Sequence, residues 1–286
     1  DFVVTWESYG QDGDDNGIYG QRYNAAGVAQ GPEFRVNTET FGDQESTSVA
    51  MDADGNFVVT WESYGQDGYG DGVYGQRYNA TGVTQGSEFQ INTYINSDQA
   101  EPSVAMDADG DFVVAWESYY QDGDIFGIYA QRYNAAGVAQ GSEFRVNTYT
   151  VSDQENASVA MDADGDFVVT WQSREQDGGY YGIYGQRYNA AGVAQGSEFR
   201  VNTYTTSDKQ NPVIAMGADG DFVVAWQSSD QDGDGRGVYG QRYNANGVAQ
   251  GSEFRVNTYT NDRQELPVLA MDADGDFIVT WQSTGQ

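Results

Sequence analysis

The chain has 286 residues, with 44 acidic against 13 basic side chains, no histidine and no cysteine, for a formal charge of −31. So acidic a surface repels phosphate backbones and anionic lipid, which removes nucleic acid and membrane as partners and favours cations or a salty medium. The absence of cysteine excludes a disulfide framework and thiol chemistry, and no apolar run reaches the length of a membrane span.

The phrase Asp-Phe-Val-Val-Thr-Trp opens the chain at Asp1 and returns, lightly varied, at Asn56, Asp111, Asp166, Asp221 and Asp276, always 55 residues apart. Residues 1–286 therefore read as one repeat domain of five units (1–55, 56–110, 111–165, 166–220 and 221–275) with a partial sixth at 276–286. A unit of this kind buries its faces only against its neighbours. No signal peptide is visible, and the chain begins within a repeat, so it reads as a piece of a longer protein.

Each period predicts four strands. In residues 102–156 the first is Pro102 to Met106. Asp107-Ala-Asp-Gly-Asp111 is a tight turn with glycine where positive φ is needed. Phe112 to Trp116 follows as a strand of β-branched and aromatic residues, apolar on both faces. A loop from Gln121 to Gly127 leads to Ile128–Tyr133, the turn Asn134-Ala-Ala-Gly137 and a fourth strand, Glu143 to Asn147. The fold class is all-β: a β-propeller of five four-stranded antiparallel blades, with an open superhelical stack or strand-swapped array of the same blades as the alternative. The ends conflict with simple closure. Leu266 to Met271 could complete the first blade, but Asp276 to Trp281 would then compete with Asp1 to Trp6 for one place.

The turns between strands one and two, and between three and four, are nearly fixed; the other two connections vary. After a shared Gln-Asp-Gly come Asp14-Asp15-Asn16, Tyr69-Gly70-Asp71, Asp124-Ile125-Phe126, Gly179-Tyr180-Tyr181 and Asp234-Gly235-Arg236. In an up-and-down blade the variable segments share one end, where a rigid scaffold places binding loops. Asp14, Asp15, Asn16, Tyr69, Asp71, Asp124, Phe126, Tyr180, Tyr181, Asp234 and Arg236 are thus the ligand-contact candidates, against the alternative of drift in tolerant loops.

The Asp-x-Asp-Gly-Asp turns offer hard oxygen ligands for calcium at Asp107, Asp109 and Asp111, at Asp162, Asp164 and Asp166, and at Asp272, Asp274 and Asp276. Asn56 and Gly217 interrupt the other two, and turn conformation alone also selects Asp and Gly. The Gln-Asp-Gly-Asp loops (Asp12 with Asp14, Asp122 with Asp124, Asp232 with Asp234) are a second cation candidate. Trp6, Trp61, Trp116, Trp171, Trp226 and Trp281 could stack on sugar rings, but they share parity with the core Phe and Val of their strands and read as packing. Arg22, Arg77, Arg132, Arg187 and Arg242 are expected to pair across strands with Glu33, Glu88, Glu143, Glu198 and Glu253. Carboxylate pairs that a glycosidase could use recur in every repeat, whereas a single active site should break the symmetry; no site stands out, and no catalysis is expected.

The phrases at 160–173 (Ala-Met-Asp-Ala-Asp-Gly-Asp-Phe-Val-Val-Thr-Trp-Gln-Ser), 182–192 (Gly-Ile-Tyr-Gly-Gln-Arg-Tyr-Asn-Ala-Ala-Gly) and 196–203 (Gly-Ser-Glu-Phe-Arg-Val-Asn-Thr) resemble tandem repeats of very large secreted bacterial surface proteins, in cyanobacteria and proteobacteria. Those proteins often carry calcium-binding RTX or cadherin-like modules; this chain has no RTX nonapeptide. The resemblance implies an extracellular, cell-surface or secreted setting. The expected role is a non-catalytic structural or adhesive module, self-associating or packing on neighbouring repeats. The alternative is a lectin-like propeller that binds cell-surface or matrix glycans.

Overall fold

The computed structural model describes residues 1–285, which divide into two compact units, Asp1–Gln121 with Tyr129–Arg145 and Asp122–Ile128 with Val146–Gln286. The strands are β1 (Phe2–Tyr9), β2 (Asn16–Tyr23) and β3 (Phe34–Arg35), then β4 (Gln44–Met51), β5 (Phe57–Tyr64), β6 (Asp71–Tyr78) and β7 (Phe89–Gln90). There follow β8 (Gln99–Met106), β9 (Phe112–Tyr119), β10 (Phe126–Tyr133) and β11 (Phe144–Arg145), and β12 (Gln154–Met161), β13 (Phe167–Arg174), β14 (Tyr181–Tyr188) and β15 (Phe199–Arg200). The last are β16 (Lys209–Met216), β17 (Phe222–Ser229), β18 (Arg236–Tyr243) and β19 (Phe254–Arg255), with β20 (Gln264–Met271) and β21 (Phe277–Ser283).

Among the described residues these form six antiparallel sheets: four of four strands, one of three (β1-β2-β3) and one of two (β20-β21). The expected five blades are corrected to six. The physical reason lies in the pairing of β20, which stays with its sequence neighbour β21 through Met271–Phe277 to Gln264–Ser283. The tight Asp272–Asp276 turn, closed by the Asp272 N–H on the Asp276 carbonyl at 2.9 Å, makes that local pairing the favoured one.

Two differences from the expected strands have local causes. The fourth strand holds only two residues because a side chain takes over the ladder. The Ile18 N–H donates to Asn37 Oδ1 at 2.8 Å, one step beyond the Val36 N–H on the Ile18 carbonyl, and the pattern repeats at Asn92, Asn202 and Asn257. The first strand is longer than expected and bulged, with a register shift between Glu45 and Ser48 and at each equivalent position. At the bulge Ser46, Glu101, Asn156, Asn211 and Leu266 hold φ between 51° and 54° without being glycine. That strain is held by the preceding repeat: Glu7 accepts the Ser46 N–H at 2.7 Å, Glu62 that of Glu101 at 2.8 Å, Gln172 that of Asn211 at 3.0 Å and Gln227 that of Leu266 at 3.0 Å.

The core lies between successive sheets within each unit. In the first, Trp61 and Trp116 are fully buried among Phe57, Val59 and Tyr78, and Phe112, Val114 and Tyr133. In the second, Trp226 sits with Phe222, Val224 and Tyr243. Cross-strand rings stack, as for Phe57 on Tyr78 at 4.7 Å and Phe222 on Tyr243 at 4.8 Å, each adding about 1 kcal/mol beyond burial. At Arg77 and Arg187 the guanidinium goes elsewhere than to the expected cross-strand glutamate. Arg77 donates to the Ala135 carbonyl at 2.7 Å and Arg187 to that of Asn246 at 2.8 Å, each clamping the turn of the following repeat. The glutamates instead accept from a loop glutamine and a neighbouring backbone, as Glu143 does from Gln121 at 2.6 Å and from the Thr93 N–H at 2.6 Å.

Candidate active site

The variable segments lie at one end of each sheet, and in the first unit they bring carboxylates together. Glu62 is carried near the end of β5, Asp71 opens β6, Glu45 and Glu101 lie near the starts of β4 and β8, and Asp98 just precedes β8. Alternation along β5 buries Trp61 and Ser63 and turns Glu62 to the opposite face. There its carboxylate is held by the strained Glu101 N–H at 2.8 Å.

The repeats differ in what surrounds this position. In the first, Asn16 relieves its acids, its amide donating to Asp43 at 3.1 Å and Glu45 at 2.7 Å. In the second, Asp71 stands in place of that amide, and only its backbone N–H reaches Asp98, at 3.3 Å. Burial raises the Asp71 carboxyl from 3.8 to about 6, and Asp98, Glu45, Asp43 and Asp67 repel its charge further. Burial likewise pushes Glu62 from 4.5 up to about 7; the Glu101 and Asp71 charges add to it, while the Glu101 N–H and Ser46 hydroxyl pull back. Both carboxyls are thus displaced upward toward neutrality, chiefly by burial, with Asp71 among the charges that raise Glu62.

The second unit answers its acids with amides and cations. Gln172 donates to Glu155 at 2.9 Å, Arg174 meets Asp153 at 3.3 Å, and Arg236 meets Glu265 at 2.6 Å. The symmetry that the carboxylate pairs show as a sequence is therefore broken in space.

The sequence candidates divide accordingly. Asp71 lies in the cluster, and Asn16 borders it. Tyr69 and Tyr180 stand exposed on their loops, whereas Phe126 and Tyr181 are half-buried strand residues. Asp14, Asp124 and Asp234 accept the N–H groups of Gly42 (3.4 Å), Ser152 (2.9 Å) and Asp262 (3.3 Å), tying loop to connector. Asp15 is half-buried and closes its loop through its carbonyl on the Gly10 N–H at 2.7 Å; Arg236 is in its ion pair. In the Asp-x-Asp-Gly-Asp turns the first carboxylate accepts two backbone N–H groups: Asp107 from Asp109 and Asp111 (3.0 and 2.9 Å), Asp162 from Asp164 and Asp166 (3.0 and 2.9 Å), and Asp272 from Asp274 and Asp276 (3.1 and 2.9 Å). Among the described residues no group of three or more acidic side chains is disposed to hold a metal ion. Glu45, Glu62, Asp98 and Glu101 were not singled out from sequence. The signal was present in the repeats: the position of Glu62 reads Glu, Glu, Glu, Gln, Gln, Gln, and that of Glu101 reads Ser, Glu, Asn, Asn, Leu.

No protein family and no curated protein matches the chain in sequence. Solved structures do share its fold. A polysaccharide lyase superposes with a TM-score of 0.54 at 12% identity, covering 99% of this chain and 79% of its own. A Hadza microbial sialidase superposes with a TM-score of 0.50 at 13% identity, over 79% of this chain and 49% of its own. An α-L-arabinofuranosidase from Lactobacillus brevis gives a TM-score of 0.49 at 11% identity, over 83% of this chain and 82% of its own. The fold is a β-propeller. The lyase and the sialidase correct two expectations drawn from the sequence, that the chain performs no catalysis and that it is a structural or adhesive module. The lyase and the sialidase show this fold carrying enzymes, so repetition of the blades does not exclude an active site. The argument from symmetry also falls, because equivalent carboxylates occupy unlike surroundings.

Proposed function

We propose that the chain is a carbohydrate-active enzyme that hydrolyses a neutral glycan at the Glu62–Asp71 cluster. The observation that carries this reading is the pair of interacting carboxyls, Glu62 titrating at about 7 and Asp71 at about 6, on a propeller fold shared with glycan-processing enzymes. Between those values Glu62 keeps its proton while Asp71 is ionised, the division of labour that glycoside hydrolysis requires. Glu62 gives its proton to the glycosidic oxygen as the bond to the anomeric carbon breaks. Water forms the new bond to that carbon and passes its proton to Asp71, leaving two hydroxyl products and the second carboxyl protonated. The surplus of carboxylates supports a neutral substrate over an anionic one.

The resemblance of the repeats supports an extracellular setting, in a secreted or surface-bound bacterial protein with matrix or cell-surface glycans as partners. Release of reducing ends from neutral polysaccharides such as arabinan, xylan and galactan tests the reading. Cleavage of one of them, lost in Glu62→Gln and Asp71→Asn, is the expected result. An intact panel, or cleavage that both variants retain, would overturn it.

A further inference from the structure

At the other end of the same sheets the turns of two successive repeats in the first unit enclose a cavity of about 210 Å³. Its rim carries Asp54 from the turn before β5, Asp109 from the turn before β9, and Arg77 from β6. Deeper in, it is lined by the half-buried Met106 and by the edges of Phe57 and Tyr78, core rings stacked on each other at 4.7 Å. Gly110, at φ +90°, lets one turn come against the next at its edge: a Cβ there would stand 3.1 Å from Asp52 and 3.2 Å from the Ala135 methyl. The other charges of the wall are already committed. Asp52 accepts both the backbone and side-chain N–H groups of Asn56 at 2.8 Å, and Arg77 is fixed on the Ala135 carbonyl at 2.7 Å. The carboxylates of Asp54 and Asp109, one from each repeat, are exposed and open to a ligand.

The second unit builds the same cavity on a smaller scale. Asp219, Asp274 and Arg242 stand over Phe222, Tyr243 and Met271 around about 90 Å³. The design thus recurs with the repeat, and the larger copy has room for a small polar molecule.

We propose that the 210 Å³ cavity binds one sugar unit of a neutral glycan, as a non-catalytic site separate from the acidic cluster. Sugar hydroxyls donate to the two uncommitted carboxylates and accept from the Arg77 N–H groups not spent on the next turn, while C–H groups of the ring meet Met106. Two carboxylates at the rim exclude uronic acids, and the guanidinium in the same wall disfavours a metal ion. Nothing in this site requires that the chain cleave its ligand.

The test is a titration of the Glu62→Gln protein, followed by amide shifts, with D-glucose, D-galactose, D-xylose, L-arabinose and D-glucuronate. A neutral sugar is expected to bind saturably, to shift the Gly110 and Ala135 amides, and to bind about tenfold more weakly after Asp54→Ala with Asp109→Ala. The isosteric Asp54→Asn with Asp109→Asn is a second pair of exposed turn substitutions with the same expected loss. Absence of saturable neutral-sugar binding, binding that both pairs leave unchanged, or tighter binding of glucuronate would overturn the proposal. Because Glu62→Gln lacks the proposed proton donor, these outcomes are read separately from cleavage.

Discussion

Replacing Glu62 with glutamine should stabilise the protein at neutral pH while removing its proposed proton donor. Burial raises this carboxyl from an ordinary 4.5 to about 7, so the folded protein holds a proton that the unfolded chain releases. The contribution to stability is therefore fully present below about 4.5, falls as pH rises toward about 7, and stays lost above that. A displacement of that size corresponds to about 3 kcal/mol. Glutamine should carry none of this penalty and should keep the clamp on the strained bulge, since Gln172 and Gln227 hold the equivalent N–H groups of Asn211 and Leu266 at 3.0 Å. Urea unfolding of wild type and Glu62→Gln at pH 4 and pH 8 measures the effect. The variant should match the wild type at pH 4 and exceed it at pH 8 by up to about 3 kcal/mol, a midpoint shift of about 2–4 °C per kcal/mol in thermal melts. A variant no more stable at pH 8, or a difference equal at both pH values, would refute the burial argument.

Asp71→Asn supplies the amide that Asn16 uses in the first repeat, so it should add about 1 kcal/mol at pH 8 and abolish cleavage; unfolding and reducing-end assays check both. Asn92→Ala strands the buried Val73 N–H, now held at 2.8 Å, and should lower stability by about 2 kcal/mol in urea titration. Lys209 is fully buried, its ammonium on the Ser207 carbonyl and 4.5 Å from the Tyr204 ring, and burial lowers its pKa. Its folded form is thus penalised while charged, so stability should rise as pH climbs toward 10.5, and Lys209→Gln, matching Gln44 and Gln264, should remove that rise in melts between pH 7 and 10.

The strand content was legible because each period alternates apolar residues between nearly fixed Asp-Gly and Asn-x-x-Gly turns, a local signal repeated with little noise. The packing role of the tryptophans was legible for the same reason, since parity places Trp61 with Phe57 and Val59. Three things were not. The two-residue fourth strand depends on Asn37 imitating a backbone acceptor, and the bulge at Glu101 depends on a side chain 39 residues away. Neither leaves a local pattern. The pairing of β20 with β21 is a competition between two equally suitable partners, which only chain distance decides. The acidic cluster was half legible: the variable end of the sheets was identified, and Asp71 with it. Glu62 escaped because it sits in an almost invariant strand phrase, and what singles it out is the amide-to-acid change at Asp71 beside it.

The most direct test of the central claim is the pH dependence of glycan cleavage by the wild type and by Glu62→Gln. A bell-shaped wild-type profile is expected, rising through about 6 as Asp71 ionises and falling through about 7 as Glu62 loses its proton, with Glu62→Gln inactive throughout. Cleavage by Glu62→Gln at the wild-type rate, or a wild-type profile flat from pH 5 to pH 8, would contradict the account.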